Sequence, residues 1–201
     1  MGFIKNILGS IKLTILSGFI LAILIAAFGW NSAGGFNLLE ATVWLHVIVG
    51  ITWIGLLYYF NFVQVPAMGE ALADEGGPGP AAIGKYVAPR ALLWFRMSAA
   101  LTWLTGLSAL ESTGVGIVNA FTFANPQAAI IGVGSWFGTI MLFNVWVLIW
   151  PNQKKILGMV EATADEIAKA KVTAAMASRT NVLLSVPLLL SMTAFAHGNL
   201  L

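Results

Sequence analysis

Residues 127–155 read QAAIIGVGSWFGTIMLFNVWVLIWPNQKK. From Gln127 to Trp150 no residue carries a charge, and this run ends at Pro151, Lys154 and Lys155. As a helix such a run is about 36 Å long, enough to cross a hydrocarbon core of about 30 Å. The pair of lysines at its end marks the cytoplasmic side.

Working outward, four more apolar runs follow the same logic, at about 13–30, 41–65, 91–110 and 180–200. The ten Lys and Arg residues all fall in segments that can share one membrane face, whereas 31–40 and 113–126 contain none. The positive-inside rule then predicts five spans in a bacterial inner membrane, with the N-terminus cytoplasmic and the C-terminus on the outer face. The first run follows Lys5 and Lys12 like the core of a signal peptide. Its length, and the lack of a small-residue cleavage site after it, predict a retained helix.

Composition agrees. Hydrophobic residues make up 59% of the 201 residues and charged residues only 9%, with a mean hydropathy of +0.88. The net charge of +2 arises from flanking basic residues, so it speaks for membrane topology and lipid contact rather than for nucleic acid. With no cysteine in the sequence, disulfides, iron–sulfur clusters and covalently attached c-type haem are excluded on this chain. The expected fold is an all-α integral membrane protein, a single domain over 1–201. It is a five-helix bundle with a cytoplasmic amphipathic segment at 152–178, where Ile156, Met159, Val160, Ala164 and Ile167 recur among charged residues.

Small residues predict where helices touch. Gly134 and Gly138 form a GxxxG pair in the fourth run, with Ala128, Gly132, Ser135 and Thr139 nearby. Trp30, Trp94 and Trp150 lie at the predicted interfaces, as in an aromatic belt, while Trp53, Trp103, Trp136 and Trp146 fall inside spans. Pro66 and Pro151 are expected to end the second and fourth runs, and Pro187 to bend the fifth.

The two histidines, His46 and His197, fall at similar depth near the outer leaflet. A buried imidazole is costly in a membrane unless it is partnered, which makes each a functional candidate. At about 100° per residue, His46, Gly50, Trp53, Leu57, Asn61 and Gln64 share one stripe of the second helix. An imidazole with a glycine one turn away suits haem, the iron taking the nitrogen and the porphyrin lying on the open surface. Hydrogen bonding within the bundle is the other reading of both histidines. On the cytoplasmic side Asn61, Arg90, Arg96, Asn144, Arg179 and Asn181 form a second polar set. Arginines suit an anion and amides suit the edge of a heterocycle. Topology marking and helix capping would account for the same residues.

HVIVGITWIGLLYYFNFVQVPAM at 46–68, APRALLWFR at 88–96, FNVWVLIWPNQKK at 143–155 and ASRTNVLLSVPLL at 177–189 together resemble the urate oxidase N-terminal domain family. The resemblance covers about residues 41–190. The shorter pattern of His46, Trp53 and Gly55 is also similar to wider groups of membrane proteins, including the protoporphyrinogen oxidase type that carries b-type haem. In the urate-oxidising proteins the membrane domain is followed by a c-type cytochrome domain. The resemblance thus implies a membrane redox protein. Here that means b-type haem held by His46 and His197 beside Gly50 and Trp53, a separate cytochrome c as acceptor, and, if the chain is catalytic, urate or a related purine as substrate. A cofactor-free subunit of a larger respiratory or photosynthetic membrane complex, or of an assembly with further copies of the chain, is the alternative. A transporter fits less well, because Glu40 and Glu111 lie at the outer ends of spans and no carboxylate lies within one.

Overall fold

The computed structural model describes residues 2–33 and 37–198, and these residues are helical throughout apart from turns and loops. The chain divides into two compact units, 1–38 and 39–201. In the first, α1 (Gly2–Leu8) meets α2 (Ile11–Ala33) at an elbow. Thr14 fastens that elbow, its hydroxyl donating to the Ile7 carbonyl at 3.0 Å and to that of Ser10 at 3.1 Å. The expected span at 13–30 lies within α2, and over Ile11–Phe28 none of its residues is buried, as suits a helix apolar enough to cross a membrane.

In the second unit, prolines lengthen helices that they were expected to end. α3 (Leu38–Tyr59) passes through a π-turn, Phe60–Gln64, into α4 (Val65–Ala73). α7 (Pro126–Phe143) likewise passes through Asn144–Ile149 into α8 (Trp150–Ile156), and Ile83–Val87 precedes α5 (Ala88–Ser112). In each case the proline, Pro66, Pro151 or Pro89, stands two residues after the π-turn. Proline lacks an N–H and its ring collides with the carbonyl one turn earlier; a widened turn makes room for the ring without breaking the helix.

α6 (Ile117–Thr122) is a short bridge, and α9 (Ala164–His197) is the longest helix. The segment 152–178, expected as one amphipathic stretch, is divided by the turn at 157–163. Gly158 adopts a left-handed φ of +67° there, and α9 then starts on a capping box in which Thr163 and Glu166 satisfy one another's backbone N–H groups. Its second half, 164–178, is therefore the start of the same helix as the fifth apolar run. The last part of that run, 199–200, lies outside the described residues.

Among the described residues four helical segments are apolar and long enough to cross a membrane: Ile11–Phe28, Leu38–Ala73, Pro126–Ile156 and Ala164–His197. α5 is long enough but less apolar, since it carries Arg90, Arg96 and Glu111. It is nonetheless deeply packed. Leu92, Phe95 and Ala99 meet Trp53, Leu57 and Phe60 of α3 and its π-turn, Met141, Val145 and Ile149 of α7 and its π-turn, and Ala177 and Leu188 of α9 in one core. Phe60 and Phe95 meet edge to face at 5.4 Å. Glycines set the closest approaches: Gly134 lies against Ser191 and Gly138 against Leu188, so the GxxxG pair joins α7 to α9 within the chain.

Candidate functional site

His46 lies on α3 facing α5. Its Nδ1 stands 2.9 Å from the Thr102 carbonyl oxygen and 3.2 Å from the Thr105 hydroxyl. A carbonyl only accepts, so in the neutral ring Nδ1 carries the hydrogen and donates it. Nε2 then keeps its lone pair, and it makes no hydrogen bond among the described residues. This is the arrangement in which histidines usually bind a metal, one nitrogen held by a carbonyl and the other free.

The ring fits because residue 106 is glycine. A Cβ there would come within 3.1 Å of His46 Cε1 and 3.4 Å of Nδ1. Gly50, one turn below, has a different surrounding from the open porphyrin surface expected of it. A Cβ on Gly50 would stand 3.7 Å from the Thr102 side chain, an ordinary contact, so at this level α3 faces α5. Trp53, two turns from His46, is 2% exposed, and its indole Nε1 is buried without a hydrogen-bond partner among the described residues. Trp103 and Trp136, by contrast, are satisfied by the Thr139 hydroxyl and the Phe121 carbonyl. A buried donor without an acceptor costs roughly 1–3 kcal/mol, which singles out Trp53. His197 is the last residue of α9, exposed and without a hydrogen bond among the described residues.

The second polar set separates into two kinds of residue. Its amides tie helices together. Asn144 Nδ2 donates to Asn181 Oδ1 at 2.8 Å, and the fully buried Asn181 donates on to the Met141 carbonyl at 3.1 Å. Asn61 donates to the Leu57 carbonyl and to the Ser178 hydroxyl, both at 2.8 Å. Tyr58 and Ser185 meet at 2.9 Å, and because the Ser185 hydroxyl donates to the Val182 carbonyl, the phenol is the donor to it. Asn61 lies within the π-turn after α3 and Asn144 opens the one after α7, so the widened turns coincide with the polar ties.

The arginines are not drawn into that network. Arg90 is exposed and donates to the Tyr86 carbonyl at 3.2 Å. Arg179 is exposed and has no partner among the described residues. Arg96 meets the face of Trp150, its Cζ 3.8 Å from the ring centroid. Gln64 is 7% exposed with its Oε1 unpartnered among the described residues.

Sequence reading picked His46 but missed Thr102, Thr105 and Gly106, which hold it. Their signal was a small, polar stripe on α5, with Ser98, Thr102 and Thr105 spaced by four and three residues. Ser178 and Ser185 were missed although they flank Asn181 at the same helical spacing.

Among the described residues these features define a helical bundle with membrane-type helices, a buried polar interior and, on α3, the His46 imidazole with Nε2 unengaged. Residues 112–199 match the urate oxidase N-terminal family. Over that region the match agrees with the resemblance read from the sequence. The matched region holds α6 to α9, whereas the similar segments at 46–68 and 88–96 lie before it. No curated protein and no solved structure matches the chain.

Proposed function

We propose that the chain is a membrane electron-transfer protein of the urate oxidase type, with b-type haem ligated by His46. The observation that carries this reading is the His46 imidazole, fixed through Nδ1 by the Thr102 carbonyl with Nε2 unengaged. Two observations support the reading: Gly106 leaves room for the His46 imidazole, and the orphaned Trp53 N–H is a donor for a polar substituent of a ligand in this part of the bundle. Bound haem would supply one-electron redox chemistry. The chain's own part is to orient the imidazole and, through the hydrogen bond at Nδ1, to raise its strength as a ligand.

His197 is proposed as a second ligand only on the basis of its predicted depth. α5 is proposed as the third of five spans in chain order, its charges lying toward its ends or, for Arg96, against the Trp150 ring. With the basic flanks on the cytoplasmic face, His46 lies toward the outer leaflet, which supports transfer to a separate cytochrome c. If urate or a related purine is the substrate, the amides of Asn61, Asn144 and Asn181 are already committed to helix contacts. The anion would then rely on Arg90, Arg96 and Arg179.

The test is the reduced-minus-oxidised spectrum and pyridine haemochrome content of protein made with haem in excess. The wild type should carry about one haem b per chain, lost in His46→Ala. Colourless wild-type protein would overturn the reading in favour of a cofactor-free accessory subunit.

A further inference from the structure

We infer that Arg96, Trp150 and Lys154 form a headgroup site for one acidic phospholipid at the junction of α5 and α8. The Trp150 ring carries Arg96 at 3.8 Å and Lys154 at 5.8 Å from its centroid. Two cations are therefore gathered at one indole. Neither has a carboxylate: the one ion pair among the described residues is Lys155 with Glu166 at 3.5 Å, so of the two adjacent lysines only Lys155 is paired. Arg96 has no hydrogen-bond partner among the described residues either. With no such partner the Arg96 guanidinium keeps its N–H donors for another group, and its fork suits two oxygens of a phosphate.

Both side chains are half-buried. Two unpaired cations at one ring repel one another, and an anion within reach of both relieves this. The surroundings choose which anion. Leu93 and Trp94, just before Arg96, and Trp146 and Val147, one turn before Trp150, are all exposed apolar side chains. A diacyl phospholipid matches this surface with its chains and the cations with its phosphodiester. A soluble anion matches the cations only. A zwitterionic lipid brings its own ammonium to the site, so the lipid favoured is one with net negative charge.

The experiment uses the full-length protein in mild detergent, with phosphatidylglycerol or phosphatidylcholine added and retained lipid counted by native mass spectrometry. Phosphatidylglycerol should be kept at one per chain and phosphatidylcholine released. Lys154→Gln should weaken retention about fivefold, the effect of one cation at an anionic headgroup. Arg96→Gln should abolish it, and Arg96→Lys, which keeps the charge but not the fork, should fall between the two. Thermal unfolding of each variant without lipid reports folding separately. Equal retention of the two lipids, or wild-type retention in Lys154→Gln and Arg96→Lys, would overturn the site. Inorganic phosphate or urate displacing the lipid at millimolar concentration would reassign it to a soluble anion. The haem content of the variants is read in parallel, so failure here is distinguishable from failure of the redox reading.

Discussion

Substituting glycines along α7 by alanine should hurt in the order Gly132, Gly134, Gly138. A Cβ at Gly132 would come 2.1 Å from the Ala120 carbonyl oxygen and 2.9 Å from the Phe123 ring. The ring can turn, but the carbonyl is backbone, so relief requires α6 and α7 to part by more than about 1 Å. A gap of that size forfeits a quarter to a half of each dispersion contact across it, around an Ala120 that is now fully buried. Overpacking of this kind costs roughly 1–3 kcal/mol or more, against a gain of about 1 kcal/mol in helix propensity. Parting the helices also loosens the satellite core of Leu110, Ala120 and Ile131, so the expected net loss is about 1–3 kcal/mol. For a chain of this size that lowers the melting midpoint by about 3–12 °C. At Gly134 the nearest atom would be Ser191 Oγ at 2.7 Å, a side chain that accepts from the Gly134 N–H and donates to the Ile130 carbonyl. It can swing away only by breaking those bonds, for about 1–2 kcal/mol. At Gly138 the nearest atom is 3.6 Å away, ordinary contact, and alanine should be neutral or stabilising. Far-UV circular dichroism melts in detergent would check the series. A Gly132→Ala midpoint within about 2 °C of wild type, or a Gly138→Ala more harmful than Gly132→Ala, would refute the reasoning.

Asn181→Ala should cost about 2–3 kcal/mol by leaving the Met141 carbonyl and the Asn144 amide unpaired; measured as a double-mutant cycle, Asn144→Ala with Asn181→Ala should cost at least about 0.5 kcal/mol less than the sum of the singles. Thr163→Ala should remove about 1 kcal/mol of capping, seen as faster hydrogen exchange confined to the first turn of α9, whose Glu166 N–H it caps. Lys155→Gln should leave the melting midpoint nearly unchanged, because its pair with Glu166 is 36% and 49% exposed and solvent screens such a pair. On the proposed haem ligation by His46, Gly106→Ala should weaken haem retention relative to wild type without preventing folding, since the new Cβ presses on the His46 ring rather than on backbone.

The helical membrane class and the resemblance to the urate oxidase N-terminal family were legible in the amino-acid order, because both rest on local properties. An uncharged run such as 127–150 has no soluble fold to enter, whatever its neighbours. The GxxxG pair at Gly134 and Gly138 was legible for the same reason, and it does join α7 to α9. Proline was misleading at 66 and 151, since its local effect, a missing N–H and a ring in the way, can be met by widening the preceding turn instead of ending the helix. The choice depends on whether packing rewards the continued helix, and that is not local.

What only the tertiary structure decided is how each helix is turned about its axis and which partner it meets. That rotation brought His46 onto Thr102, Thr105 and Gly106, fifty-six residues or more away in sequence. It joined Asn144 to Asn181 inside the bundle and set Arg96 on Trp150, dividing one expected polar set into structural ties and free cations. A sequence lists which groups need partners; the partners themselves are fixed by the packing of side chains from several helices at once, a property of the assembled core.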